Sequence, residues 1–306
     1  MSGTLSGRVA VVTGGGRGIG RAIVEALHRS GAAVVIADNG TSIAGMGADP
    51  TVAEALAKVL GDRAAAFTES IATPSAAKAV VDFAASRFGG IDILVNNAAI
   101  LRDAFVFKAD PGDWEAVLRT NLFAPFYLIA AATPLMRDQA KAKRGGGAWG
   151  RIVNLVSTAG FYGNYGQAAY AAAKAGLTGL TRIAALDMAR SHVACNAIAP
   201  FAATRVTESI KPQNPVQQAY KDTAMKIPAQ PVADLVTYLA GDAGAKITGQ
   251  LFGVRGRELL ILSQPRPIAA AVAETPDGLG AAVAALAPHF AALETDLEAF
   301  ASRPVL

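Results

Sequence analysis

The stretch Arg8-Val-Ala-Val-Val-Thr-Gly-Gly-Gly-Arg-Gly-Ile-Gly20 decides how the chain is read. Its first half, Arg8–Thr13, is a short run rich in valine and reads as a strand buried on both faces. Its second half, Thr13-Gly14-Gly15-Gly16-Arg17-Gly18-Ile19-Gly20, leads into a stretch that reads as a helix from Gly18 to Arg29. A run of glycines alone says little, but between a strand and a helix it has a mechanism. Glycine lets the chain turn tightly and come close to a phosphate. The helix N-terminus then offers free N–H groups and a positive dipole end to the anion. Gly14, Arg17, Gly18, Ile19 and Gly20 are therefore candidate contacts for a dinucleotide.

Outward from this unit, apolar runs alternate with helical stretches. Ala33–Ala37, Ala64–Phe67, Ile91–Asn96, Arg151–Val156 and Val193–Ile198 read as strands two to six, and Gln250–Val254 as a seventh. Strands alternating with helices imply parallel βαβ units. The expected fold class is α/β, a single doubly wound Rossmann-type domain (residues 1–256) with a seven-stranded parallel sheet. A C-terminal extension, residues 257–306, should pack on the domain or on a neighbouring subunit. Within it, Leu259–Pro267 reads as extended. Thr275-Pro-Asp-Gly278 reads as a helix start before Leu279, and Pro288 splits the helical pattern that follows. A helix over Ala168–Ala185 carries only Lys174 and Arg182 as charges. A helix apolar nearly all round should be buried on more than one side, which predicts a subunit contact in a homodimer or homotetramer.

Composition excludes several classes. The chain has 306 residues, 52% hydrophobic, with a net charge of only +4, enough for one large core and no nucleic-acid-binding surface. The one basic run, Lys141-Ala-Lys-Arg144 before Gly145-Gly-Gly147, reads as a solvated loop. Cys195 is the one cysteine and reads as a small buried hydrophobe. His28, His192 and His289 are too far apart for metal-ligand spacing, so no metal is expected. The longest apolar run, Leu122–Met136, is short for a membrane span and carries Pro125 and Pro134. The N-terminus shows no signal-peptide pattern and the chain does not end in Ser-Lys-Leu, so a cytoplasmic protein is expected.

The residues able to do chemistry cluster around the strand ends. Asp38 ends the second strand, close to the ~20-residue offset at which an acidic group takes the adenosine ribose hydroxyls. A carboxylate there repels a 2′-phosphate and favours NAD over NADP. Arg17 pulls the other way, and the alternative for Asp38 is a turn residue before Asn39-Gly40. Three of the six tyrosines fall within Tyr162-Gly-Asn-Tyr-Gly-Gln-Ala-Ala-Tyr170, and Lys174 follows. Tyr170 and Lys174 are four apart and share a helix face. Ser157 lies thirteen residues earlier, at the end of the fifth strand, where a doubly wound sheet places its ligand crevice. Asn121 lies in another helical stretch that could border the same crevice.

On these residues the chain resembles the short-chain dehydrogenase/reductases over roughly residues 6–256. The motifs are Thr13-Gly-x-x-x-Gly-x-Gly20, Asn96-Asn-Ala-Ala99, Asn121, Ser157 and Tyr170-x-x-x-Lys174, in that order. The resemblance implies an NAD(P)-dependent oxidoreductase that interconverts a secondary alcohol and a ketone. The nicotinamide would take the hydride. Tyr170 would take the alcohol proton, its pKa lowered by the Lys174 ammonium and by the cofactor's charge. Lys174 would also hold the nicotinamide ribose, Ser157 the substrate oxygen, and Asn121 a water relaying protons to Lys174. Glu69 and Ser70 would meet the adenine. Asn97, Ala98 and Ala99 would line the cofactor, and Pro200 and Thr204 would belong to a loop closing over the nicotinamide. Tyr162 and Tyr165 are candidate substrate-pocket walls. The chain departs from the family pattern at Ala99, where glycine is common, at Phe201, which follows Pro200 in place of glycine, and at Arg255-Gly-Arg257 in place of Asp-Gly-Gly. Phe201 thereby becomes a candidate at the substrate mouth.

A narrower resemblance rests on Asp38-Asn-Gly40 through Gly45-Met-Gly47, Ile100-Leu-Arg-Asp103, Tyr162-Gly-Asn-Tyr-Gly-Gln167 and Cys195-Asn-Ala-Ile-Ala-Pro200. These are similar to the (3R)-hydroxyacyl-CoA dehydrogenase part of peroxisomal multifunctional enzyme type 2 and its bacterial stand-alone relatives. The substrate implied is a 3-hydroxyacyl-CoA of lipid or steroid side-chain β-oxidation, and the cofactor NAD. Arg102, Arg255 and Arg257 are candidates for CoA phosphates, the alternative being solvated side chains. The alternatives are a hydroxysteroid or other secondary-alcohol dehydrogenase, an NADPH-dependent 3-oxoacyl reductase and, in a different class, a non-catalytic dinucleotide-binding regulator.

Overall fold

The valine-rich run before the glycines forms β1 (Val9–Thr13), at the centre of one eight-stranded sheet of order β3-β2-β1-β4-β5-β6-β7-β8. A computed structural model describes residues 4–142, 150–212, 214–273 and 275–306. The basic run ending at Arg144 and the glycines after it therefore fall largely outside the described residues.

The first half of the chain supplies β1, α1 (Gly18–Arg29), β2 (Ala33–Ala37), α2 (Thr51–Leu60), β3 (Ala64–Phe67), α3 (Pro74–Phe88) and β4 (Ile93–Asn96). Then come α4 (Pro111–Leu118), one π-helical turn (Arg119–Phe123), α5 (Ala124–Lys141), β5 (Gly150–Leu155), α6 (Ala168–Met188) and β6 (Val193–Phe201). The chain closes with α7 (Arg205–Ser209), α8 (Pro215–Ala224), α9 (Gln230–Ala240), β7 (Leu251–Arg255), β8 (Glu258–Ile261), α10 (Leu279–Leu286) and α11 (Asp296–Ala299). β1 to β7 pair in parallel.

The sheet is covered on both sides, as its unbroken apolar strands require. Ala10, Val12, Val34 and Ile36 face α1, α2 and α9, while Val9, Val11 and Val35 join the core shared with α3, α5 and α6. This alternation within runs of valine is the strand period of two. Cys195 is fully buried, and burial pushes its thiol well above its ordinary value, as a small hydrophobe requires.

The expected seven parallel strands are joined by an eighth, antiparallel one. Arg255 pairs with Glu258 across the tight turn Gly256-Arg257, where Gly256 has φ +59°. The extended reading from Leu259 thus begins as β8 and carries the sheet past residue 256. From Pro265 to Glu294 the described residues are mostly exposed, and α10 buries none of its residues against this chain. The last dozen residues return to the body, with Thr295, Asp296 and Leu297 buried.

The helical run Pro111–Lys141 is longer than the sequence suggested, and by length and apolar composition it could cross a membrane. Its α5 part instead lays Ala124, Leu128, Ala132 and Met136 into the core beside α3 and the sheet.

Candidate active site

The strand order reverses direction between β1 and β4, and a cleft of about 620 Å³ opens there at the carboxyl ends of the strands. The glycine loop forms its floor. Gly14 N donates to Ala37 O at 2.8 Å, and Asn97 Nδ2 donates to Thr13 O at 2.9 Å and to Gly14 O at 3.0 Å. Asn97 thus pins the loop to the end of β4. A Cβ on Gly20 would lie 2.0 Å from Gly14 O, so the loop and helix can approach this closely only with glycine there. Gly18, with φ +53°, has only Thr204 Cγ2 nearby, at 3.8 Å, and faces the cleft. No side chain caps α1. An anionic pyrophosphate fits this cradle of open backbone and helix N-terminus.

Asp38 sits at the rim beyond β2. Its Oδ2 accepts from Gly16 N at 2.9 Å and its Oδ1 from Gly40 N at 2.8 Å, so it is both a turn residue and a carboxylate fixed in the cleft wall. Arg17 lines the same wall, and its guanidinium lies 3.8 Å from Asp49, at the far end of the long turn after β2. Glu69 and Ser70 form an exposed part of the rim, and Ala98, Ala99, Pro200 and Thr204 line the same cleft.

Ser157, Tyr170 and Lys174 meet at the inner end of the cleft. Ser157 lies two residues past β5, where its Oγ accepts from Ala159 N at 3.2 Å. Tyr170 is buried on α6, hydrogen-bonded to Ser157. Lys174, one turn on, is only 2% exposed, and its Nζ donates to Leu155 O at 2.6 Å. Burial lowers the Lys174 ammonium to about 8. Burial also raises the Tyr170 phenol to about 12; the Ser157 hydrogen bond opposes this, and the Asp296 and Asp103 carboxylates add to it. In the chain alone the direction is therefore opposite to that expected from Lys174, because burial disfavours the phenolate and Lys174, itself lowered to about 8, is uncharged where the phenol titrates.

The other candidates divide between the cleft lining and positions outside it. Asn121 is fully buried in the π-helical turn and does not line the cleft. Its Oδ1 accepts from Ile100 N and its Nδ2 donates to Ile100 O, both at 2.9 Å, so its amide positions the segment after Ala99. Tyr162 and Tyr165 also lie outside the lining. Tyr162 packs edge-on against Phe300 with centroids 5.5 Å apart, and Tyr165 is 63% exposed. Phe201 does line the cleft and packs on Phe300 at 4.8 Å. Arg255 faces inward, donating to Phe300 O at 2.9 Å, to Ser302 O at 3.0 Å and to Glu258, and Arg102 pairs with Asp113 at 2.7 Å. Arg255 is thereby enclosed away from the cleft, whereas Arg102 lines it.

The sequence reading missed Asn164, Gln167, Tyr220, Asp296 and Leu297, all part of the lining. Asp296 and Leu297 arrive from the extension, held by a capping box between Thr295 and Glu298. That Thr-x-x-Glu spacing was visible and marks a helix start, but no local pattern says that the helix returns to the cleft. Among the described residues no group of His, Cys, Asp and Glu could hold a metal ion.

Comparison with known proteins gives a consistent picture. The family model described as short chain dehydrogenase matches residues 8–215. The hydroxyacyl-CoA dehydrogenase ChsB1 of Mycobacterium tuberculosis is 39% identical over 261 residues, covering 85% of this chain and 81% of that protein. The peroxisomal multifunctional enzyme type 2 of Drosophila melanogaster is 42% identical over 210 residues, 67% of this chain but 33% of that longer protein. The crystal structure of a short chain dehydrogenase from Mycobacterium avium superposes with a TM-score of 0.77 at 33% identity, covering 95% of this chain and 98% of that one.

Proposed function

The chain belongs to the short-chain dehydrogenase family and is an oxidoreductase that uses a nicotinamide dinucleotide; within that family, we propose that it is an NAD-dependent 3-hydroxyacyl-CoA dehydrogenase. The observation that carries the reading is the buried Tyr170–Ser157 pair with Lys174 one helical turn away, in the cleft floored by the glycine loop. When bound, the dinucleotide would supply the hydride acceptor and a positive charge. The chain's own residues do the rest. Backbone N–H groups at Gly18, Ile19 and Gly20 hold the pyrophosphate. Lys174 holds the nicotinamide ribose. Ser157 holds the substrate oxygen against Tyr170, whose oxygen receives the alcohol proton in oxidation and returns it in reduction.

NAD over NADP is supported by the fixed Asp38 carboxylate and by the pairing of Arg17 with Asp49, which turns that cation away from the role of phosphate partner. The acyl-CoA assignment is supported by the similarity to the hydroxyacyl-CoA dehydrogenase ChsB1 and by the apolar substrate side of the cleft, with Phe201, Val206, Ile210 and Leu297.

The test is NADH formation with a panel of 3-hydroxyacyl-CoAs and hydroxysteroids. The expected result is turnover of hydroxyacyl-CoAs, abolished in Tyr170→Phe while NAD binding persists. Tight NAD binding with no turnover of any alcohol would instead indicate a dinucleotide-binding regulator, and steroid turnover alone would move the substrate. Asp38→Ala should narrow the NAD over NADP preference by roughly tenfold or more, given the strength of hydrogen bonds to a charged group; an unchanged ratio removes Asp38 from cofactor selection.

Self-association is supported by two apolar stripes. Among the described residues these are left uncovered at Phe123, Phe126, Ala130 and Pro134 beside and on α5, and at Ala172, Ala175, Gly179, Ile183 and Leu186 on α6. A homodimer or homotetramer packed through these helices buries both.

A further inference from the structure

Asp296 is a buried carboxylate that proton and hydride transfer leave unused. Its Oδ2 accepts from Thr158 Oγ1 at 2.9 Å, and its backbone N donates to Gly163 O at 3.1 Å. Its Oδ1 is buried without a hydrogen-bond partner, and the residue, only 7% exposed, lines the cleft. Thr158 adjoins Ser157, so this carboxylate, held through Oδ2, belongs to the substrate end and not to the dinucleotide end. Leaving a carboxylate oxygen buried and unpaired is costly. The fold nevertheless holds it there, by the Thr295–Glu298 capping box and by Arg255, which grips Phe300 O and Ser302 O.

An acceptor without a donor at a substrate site calls for a donor carried by the substrate. A 3-hydroxyacyl thioester has few to offer. Its reacting hydroxyl belongs to Ser157 and Tyr170, and its thioester carbonyl and acyl chain have none. The first donor beyond the sulfur is the amide N–H at the end of the two-carbon thiol arm. We propose that Asp296 Oδ1 accepts a hydrogen bond from this amide N–H, making the C-terminal segment a reader of the thiol arm. The assignment rests on the acyl-thioester reading above. Burial raises the Asp296 carboxyl to about 6, so it remains an ionised acceptor at pH 8. The same charge disfavours free hydroxy acids, whose carboxylate would approach it.

The test uses two probes that differ in one group. One is the N-acetylcysteamine thioester of 3-hydroxybutanoate. The other is its 2-acetoxyethyl thioester, in which an oxygen replaces the N–H. The wild-type protein should show kcat/KM roughly tenfold to hundredfold higher for the amide. In Asp296→Asn the side-chain oxygen can still accept from Thr158, while an NH₂ takes the place of Oδ1. The preference should then vanish or reverse, with the Kd for NAD unchanged as the check on folding. Equal kcat/KM for both probes in the wild type, or an undiminished amide preference in Asp296→Asn, overturns the proposal while leaving the acyl-thioester reading intact. Oxidation of neither probe nor of any acyl-CoA overturns that reading, and this one with it. The arm is common to coenzyme A and to carrier-protein thioesters, and rates with the two full-length thioesters identify which carries it naturally.

Discussion

Lys174 shows how the site sets function against stability. Its ammonium is buried, and its pKa falls from 10.5 to about 8. Below about pH 8 both folded and unfolded chains carry the proton, and the folded state bears the full penalty of burying the charge. Between about 8 and 10.5 the unfolded chain binds a proton that the folded chain lacks, so this group's contribution makes stability rise with pH. The penalty at neutral pH is on the order of 3 kcal/mol, partly offset by packing that any replacement must reproduce. Lys174→Met should therefore abolish turnover yet raise Tm by a few degrees at pH 7, and calorimetry across pH should show the gain shrinking toward pH 10. A variant less stable than wild type throughout would mean that the orphaned Leu155 carbonyl outweighs desolvation. Asp296 is a second such cost: its raised pKa makes its contribution fall as pH climbs from 3.8 through about 6. At this scale Tyr170, Lys174 and Ser157 were legible because their relation is local, a helical turn and a short loop. Asp296 was not, because its partner Thr158 is 138 residues away.

Among the elements, the strand–glycine–helix unit is the most constrained. A Cβ on Gly20 would meet Gly14 O at 2.0 Å and Asn97 Nδ2 at 2.5 Å, and neither can yield without moving the loop that forms the floor. Gly20→Ala should weaken NAD binding at least tenfold and destabilise the fold by roughly 1–3 kcal/mol. Titration of NAD by protein fluorescence and denaturant unfolding measure the two effects, and a variant with unchanged NAD affinity would show that the loop can relax. The sequence revealed this element because glycine spacing has a direct steric cause. It revealed β1 to β7 because strands covered on both faces need unbroken apolar runs. β8 was less visible, since Glu258–Ile261 alternates between half-buried and exposed positions and depends on the Gly256-Arg257 turn to pair. Asn121 was legible as a residue but not as a structural link, because its bonds to Ile100 cross from one loop to a helix twenty-one positions on.

For the whole molecule, the exposed stripes on α5 and α6 set the last expectation. Phe126 is 51% exposed, Ile183 54% and Leu186 67%, and α5 and α6 pack against each other. Apolar side chains on adjacent helices make a patch that water covers at a cost, and its burial in a second copy removes that cost. The small residues Ala172, Ala175 and Gly179 along α6 would let the backbones of two copies approach closely. Because two-fold contacts are self-complementary, each substitution counts twice in the assembly. Ile183→Glu with Leu186→Glu puts four carboxylates into one such interface. The wild-type chain is expected to run as a dimer or tetramer in sedimentation equilibrium and the double variant as a monomer, with the same far-ultraviolet circular dichroism. Ser157, Tyr170, Lys174 and Asp296 all come from one chain. The monomeric variant should therefore retain NAD binding even where turnover falls. A wild-type chain that sediments as a monomer at all concentrations would mean that the stripes on α5 and α6 do not mediate self-association.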